Sequence, residues 1–287
     1  MLLLDGKAVA AAIRAETAEE VKTLTARIGR KPGLAVILAG DNGPSQTYVR
    51  NKERACAEVG IVSETLRLPA HTTQDEILAH IRALNAREDI DGILLQLPLP
   101  GHIDSRPCLE CIDPAKDVDG FHPVNMGRLL LDMPGLRPCT PAGVMELLKR
   151  SNLRPAGKKA VVVGRSNIVG KPLAVMLGAK NAQANATVTL CHSATPDLAS
   201  ICRDADFLFL AMGQPETITG DMLKPGAVVV DVGISVTDNG LRGDADFASL
   251  RDRAGAASPV PGGVGPMTIA MLLHNTVQSC TARCLKC

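Results

Sequence analysis

Tyr48 is the only tyrosine among 287 residues, and Lys52 lies four positions after it in the stretch SQTYVRNKERA. On a helix, positions i and i+4 stand one turn apart on the same face, so this spacing sets a phenol beside an amine. The pair can be an ordinary amphipathic face, with the lysine in water and the ring packed. It can also be a proton-transfer centre, if the amine is taken out of water. The loop before it, AGDNGPS, follows an apolar run at 34–39. It would deliver the pair to the C-terminal end of a strand, where open α/β sheets build their sites.

Two further groups stand in the same half of the chain. Gln96 interrupts the apolar run GILLQLPLP, and an amide buried there must find hydrogen-bond partners. The segment KDVDG places Asp117 and Asp119 in a turn-rich region. A carboxylate can accept two parallel N–H bonds from an amidine-like edge such as that of a pterin. An Asx turn is the competing use for either aspartate. Tyr-x-x-x-Lys also occurs in short-chain dehydrogenases, but there it follows the nucleotide loop within one domain. Here it comes far earlier in the chain, and that reading fails on order.

The second half carries a nucleotide signature. AVVVGRSNIVGKPLA reads as a buried strand, a tight turn and a helix start, with Gly164, Ser166 and Gly170 in the turn. Glycines there let a backbone approach a pyrophosphate at a helix N-terminus, although a purely structural strand-to-helix turn looks much the same. Dinucleotide folds that take NAD usually end their second strand in an acid that holds the ribose 2′-hydroxyl. That strand, ATVTL, ends here in Cys191-His192-Ser193. Ser193, His192 and the guanidinium of Arg165 suit a 2′-phosphate instead, which favours NADP over NAD. A His192 that only caps the strand end is the alternative.

These groups need a scaffold. Alternating apolar strand runs (34–39, 62–68, 92–97, then 160–164, 186–190, 206–211, 227–233) and helical stretches (6–28, 45–59, 73–87, 141–151) predict α/β architecture with mainly parallel sheets. Thr73-Gln-Asp-Glu76 opens one helix as a capping box. From Pro98 to Pro141 the pattern breaks into turns. The expected domains are 1–138, with a last helix 267–287 packing back on it, and 139–266. With 46% hydrophobic but only 2% aromatic residues, the core must be aliphatic. A net charge of +1 and scattered basic residues exclude a nucleic-acid surface. No apolar run is long enough for a membrane span or signal peptide, so a soluble, cytoplasmic protein is expected. Nine cysteines in such a chain should stay reduced. Cys280, Cys284 and Cys287 follow one helix face and lack partners for a metal site, so no metal is expected.

The motifs TYVRNK, QLPLP, KDVDGFHPVN, PCTPAGVMELL, VVVGRSNIVGKP and PVPGGVGPMTIAMLLHNT occur in this order. Together they resemble the bifunctional methylenetetrahydrofolate dehydrogenase/methenyltetrahydrofolate cyclohydrolase family, from Asp5-Gly6-Lys7 to about Asn275. The resemblance implies two α/β domains flanking a cleft, the first binding folate and the second a Rossmann-like NADP-binding domain. It implies a homodimer formed through that second domain. It makes Lys52 the catalytic lysine, with Tyr48 and Gln96 completing the site, and Asp119 the residue that holds the pterin. Pro261, Gly262 and Gly263 fall in the loop that lines the folate pocket. Gly164, Arg165, Ser166, Ser193 and Ile234 fall at NADP contacts. The loop AGDNGPSQTY and the long turn GAKNAQANA depart from the family's usual pattern, and neither touches a catalytic position.

The chemistry implied divides the labour. Oxidising a methylene held between two amines gives a delocalised cation, so hydride transfer asks mainly for orientation. Hydrolysing that cation needs proton transfers, which falls to Lys52. An ordinary lysine, with a pKa of about 10.4, is protonated at neutral pH. Burial and the substrate's own positive charge would lower that value. Tyr48 is expected to hold the amine by a hydrogen bond and to stack on the substrate. The rival readings are a dehydrogenase without hydrolase activity, an NADP-binding regulatory protein, and a two-domain dehydrogenase of the shikimate type.

Overall fold

The computed structural model describes residues 1–238 and 240–285. The first half of the chain runs β1 (Leu2–Leu3), α1 (Gly6–Ile28), β2 (Gly33–Ala39), α2 (Gly43–Val59), β3 (Val62–Leu68), α3 (Gln74–Ala86), β4 (Gly92–Leu95), α4 (Ser105–Cys111), α5 (Pro123–Leu130) and α6 (Cys139–Arg150). The second runs β5 (Lys159–Val163), α7 (Gly170–Gly178), β6 (Thr187–Cys191), α8 (Leu198–Arg203), β7 (Phe207–Leu210), β8 (Val228–Asp231), β9 (Ser235–Thr237), β10 (Gly240–Arg242), β11 (Ala256–Ala257) and α9 (Val264–Cys284). Two compact units result, one of Ala12–Cys139 with Ile269–Cys287, the other of Met1–Ala11 with Thr140–Thr268.

The first unit is built on a three-stranded parallel sheet in the order β3-β2-β4. The central strand GLAVILA is buried at all seven positions, as expected of a parallel strand covered on both faces. Successive side chains point to opposite faces. Leu34, Val36 and Leu38 therefore pack with Val49 of α2, Leu24 of α1 and Leu273 of α9. Ala35, Ile37 and Ala39 pack with Ile77 and Ile81 of α3 and Cys108 of α4. Asn42 caps α2 by accepting from the Ser45 amide at 3.0 Å, and Gly60, at φ 85°, ends it in the left-handed conformation. The Thr73–Glu76 capping box forms at the start of α3.

The other unit holds a six-stranded parallel sheet in the order β1-β11-β8-β7-β5-β6. Leu2 of β1 lies in register with Ala256 of β11, which is why the first eleven residues group with this sheet. Val161, Val163, Leu208, Leu210 and Val229 form its core with Cys191 and Cys202. The stretch from Pro98 to Pro141, expected as turns, contains the two short helices α4 and α5. Helix α9 begins at Val264, three residues before the expected Met267. Among the described residues, no helix is long and apolar enough to cross a membrane.

Candidate active site

Helix α2 carries Lys52 at its buried face, only 7% exposed. Its Nζ donates to Gln96 Oε1 at 2.9 Å, and Gln96 Nε2 donates to the Leu97 carbonyl at 2.7 Å. Gln96 follows β4, and its amide still donates to the Ile37 carbonyl, so its side chain is fixed at a strand end. Burial lowers the Lys52 pKa from its ordinary value, against the pull of Asp119. The remaining neighbours do little to hold the proton, because they are thiols kept neutral by the same burial. Cys56, one turn on, is pushed up to about 12, and Cys139 well above its usual range.

Tyr48 differs from expectation. It is 37% exposed and makes no hydrogen bond to Lys52. The lysine stem is buried and carries the amine inward to Gln96, leaving the phenol on the outer part of the face. Gln96, not Tyr48, positions the amine.

Asp119 sits in a turn held from three sides. Asp117, fully buried, accepts from the amides of Phe121 (3.2 Å) and His122 (2.8 Å) and from Asn125 Nδ2 (2.9 Å). Lys116 donates to the carbonyls of Leu84, Asn85 and Arg87 at 3.1, 2.7 and 2.6 Å, closing the C-terminal end of α3. Asn275 Nδ2, from α9, donates to the carbonyls of Val118 (2.8 Å) and Arg137 (2.9 Å). Asp117 thus serves the turn, whereas Asp119 lies within electrostatic reach of Lys52. Gly120, at φ 76°, must be glycine, since a methyl group there would strike the Arg137–Pro138 peptide. Burial pushes the Asp119 carboxyl up to about 6, although Lys52 opposes the shift. Neither the Asn275 nor the Lys116 role shows in local spacing, because each bonds to backbone far away in sequence.

In the other unit, a cavity of about 520 Å³ opens at the C-terminal ends of β5, β6 and β7. Gly164, Arg165, Ser166, His192 and Ser193 all line it. Gly164 and Gly170 are required by close packing: a methyl on the first would strike the Ala211 carbonyl, and on the second the Gly164 carbonyl. Ser166 Oγ accepts from the amides of Val169 (3.1 Å) and Gly170 (3.3 Å), closing the turn into α7. Arg165 and Ser193 are exposed, and Arg165 bonds to no described residue. No acid stands at the end of β6, so this mouth suits an added phosphate. Ile234 is 42% exposed just beyond β8. Pro261, Gly262 and Gly263 belong to this unit, not to the one that holds Lys52. Their turn is braced by the N-terminal segment, where the Lys7 amide donates to the Gly262 carbonyl at 3.1 Å.

Among the described residues, one group of donor atoms has metal-like spacing: Asp91, Cys280 and Cys284, within 4.8 Å of one another. Guanidiniums already occupy it. Arg30 donates to both Asp91 oxygens (2.6 and 2.8 Å) and to Cys284 Sγ (3.3 Å), and Arg283 donates to Asp91 at 2.8 Å. Cys287 lies outside the described residues.

One unit, a parallel sheet with a crevice suited to phosphate, and another, carrying a desolvated lysine, define the class: a nucleotide-dependent enzyme with a proton-transfer centre. The particular family follows from comparison. Residues 138–284 match the NAD(P)-binding domain, and residues 4–119 the catalytic domain, of the tetrahydrofolate dehydrogenase/cyclohydrolase family. The chain belongs to that family. It is 69% identical over 284 residues to the bifunctional protein FolD of Oleidesulfovibrio alaskensis, covering 99% of both chains. It is similar to the crystal structure of the bifunctional FolD methylenetetrahydrofolate dehydrogenase/cyclohydrolase from Campylobacter jejuni, with a TM-score of 0.95, 49% identity and 99% of each chain covered. The Trypanosoma brucei N5,N10-methylenetetrahydrofolate dehydrogenase-cyclohydrolase, solved with NADP and an inhibitor, gives a TM-score of 0.93 at 43% identity, covering 100% of this chain and 99% of its own.

Proposed function

We infer that this chain oxidises 5,10-methylenetetrahydrofolate to 5,10-methenyltetrahydrofolate with NADP⁺, then hydrolyses that cation to 10-formyltetrahydrofolate. The observation that carries the second step is the buried Lys52 amine, lowered in pKa and held by Gln96. A pure hydride-transfer or binding site has no use for it. NADP⁺, held by Arg165 and Ser193, would supply the hydride acceptor, and the substrate's own nitrogen lone pairs drive the hydride's departure. In its neutral form, which burial favours, the Lys52 amine takes a proton from the attacking water and returns one to the ring nitrogen. Gln96 holds the amine in place, and Asp119 accepts the N–H edge of the pterin. Tyr48 stacks its ring on the substrate, consistent with its exposed position. Pro261, Gly262 and Gly263 line the folate pocket.

The domain division we propose assigns folate chemistry to 1–138 with 267–287, and NADP binding to 139–266, the first eleven residues grouping with the sheet of the NADP-binding unit. Gly164 and Ser166 shape the pyrophosphate turn, Arg165 and Ser193 hold the 2′-phosphate, and Ile234 packs on the nucleotide. We further propose a homodimer formed through the nucleotide-binding unit and acting in the cytoplasm. Val236, 76% exposed on the β9–β10 hairpin, supplies apolar surface that a second copy would cover, and sedimentation equilibrium tests it. Supplying methylenetetrahydrofolate with either nucleotide tests the catalytic reading. NADP⁺ should be reduced with the higher kcat/KM, and a preference for NAD⁺ would overturn the cofactor assignment.

A further inference from the structure

Behind the nucleotide crevice lie two buried carboxylates that the reaction does not use. Asp231 ends β8 and is 4% exposed, while Asp244 is fully buried after β10. Asp244 Oδ2 accepts from the amides of Met212 (2.6 Å) and Gly213 (3.2 Å), and Oδ1 from that of Gln214 (2.8 Å). Asp231 in turn accepts from the amides of Gly233 (3.0 Å), Asp244 (3.1 Å) and Ala245 (2.8 Å). Six backbone amides converge on two carboxylates, and neither has a salt-bridge partner among the described residues. Two glycines exist to admit them. A methyl on Gly233 would strike the Asp244 carboxylate, and one on Gly243 the Asp231 carboxylate.

A carboxylate with no counter-cation is costly to bury, and burial together with Asp244 pushes the Asp231 carboxyl up to about 7. Such an arrangement needs a return. The segment it holds supplies one, since Ala211, Met212, Gln214 and Thr217 line the same cavity as Arg165 and Ser193. The Glu216 amide bonds the Gly243 carbonyl at 2.9 Å and the Ile218 amide the Asp244 carbonyl at 3.0 Å, so the 243–244 strip holds the rest of this wall too.

We propose that Asp244, itself set by Asp231, is a positioning residue for the nucleotide: it holds the 212–214 wall of the crevice in its binding-ready form. The inference rests on the NADP reading above. The amides of 212–214 are spent on Asp244, so the nucleotide phosphates fall to the groups across the cavity, Arg165 and Ser193 among them. Asp244 acts by keeping the facing wall from moving into or away from the crevice.

The test is Asp244→Asn, which keeps the shape but turns one acceptor into a donor facing amide donors. The expected result is a rise of roughly tenfold or more in KM for NADP⁺, with kcat at saturating nucleotide changed much less. Hydrolysis of methenyltetrahydrofolate, assayed without nucleotide, should match wild type. A general structural role would lower both activities together. A folded Asp244→Asn protein with unchanged KM for NADP⁺ would overturn the proposal. Should that variant not fold, Gly213→Ala loosens the same wall with both carboxylates intact. Gly213 sits at φ 68° with open space around its added methyl, so only backbone strain results. It too should raise KM for NADP⁺ and spare the hydrolysis, and an unchanged KM there sinks the proposal. A wild-type protein that reduces no NADP⁺ would instead fail the underlying functional reading.

Discussion

Replacing Lys52 by methionine separates the two activities most sharply. Methionine fills a similar volume without a titratable group, and loss of a general base costs about 10²–10⁴-fold in rate. Methenyltetrahydrofolate hydrolysis, measured without nucleotide, should fall by that factor. Two opposing terms set the variant's stability. The unfolded lysine titrates near 10.5 and the folded one lower, so burying the amine costs stability at neutral pH, and that cost fades as pH rises towards 10.5. Methionine removes that cost but leaves Gln96 Oε1 without its donor, a loss of about 1–3 kcal/mol. The two oppose each other, and the melting temperature should move little. Asp119 provides an internal check, because burial pushes its carboxyl up to about 6 and Lys52 opposes that shift. Without the amine that value should climb, and folate binding should weaken at a higher pH than in wild type. Lys52→Arg, which cannot deprotonate, should be as inactive in hydrolysis as the methionine variant. A folded Lys52→Met protein hydrolysing at the wild-type rate would remove the lysine from the mechanism.

Arg165→Ala should reduce kcat/KM for NADP⁺ roughly 10- to 150-fold while NAD⁺ changes little. Equal losses would assign Arg165 to the pyrophosphate or the turn. Asp119→Asn should weaken folate binding by about 1–3 kcal/mol in a titration. Wild-type binding should itself weaken as pH falls through about 6, where the carboxylate gains a proton, and a flat profile would confine Asp119 to the turn. Lys116→Met frees three carbonyls at the end of α3, and its urea midpoint should drop by the equivalent of at least about 1–3 kcal/mol. An unchanged midpoint would mean that water replaces the amine at no cost.

What the sequence disclosed follows from how local each feature is. Strand β2 was legible because six apolar residues follow a Pro-Gly turn, and α3 because its capping box is written in four consecutive residues. Helices α4 and α5 were hidden by Pro107 and Pro123, which read as turn residues. Both lie in the first turn of their helix, where a missing N–H costs little. His122 caps α5 by accepting from the Val124 amide at 3.0 Å, a role its residue type seldom announces. The two-residue strands β1 and β11 carry no pattern, and their pairing joins distant parts of the chain. At the site, Lys52 and Gln96 stood out by their chemistry, yet their bond spans 44 positions and the i+4 spacing suggested Tyr48 as partner instead. Asn275 and Asp244 stayed silent for the same reason: each works on the backbone of a remote loop.

The central claim is that one chain both oxidises and hydrolyses. Methylenetetrahydrofolate and NADP⁺ given to the purified protein, with NADPH and the folate products followed together, test it directly. NADPH and 10-formyltetrahydrofolate should form in step, with little methenyltetrahydrofolate building up. NADPH formed alongside methenyltetrahydrofolate that decays no faster than without protein would contradict the account and leave a dehydrogenase alone.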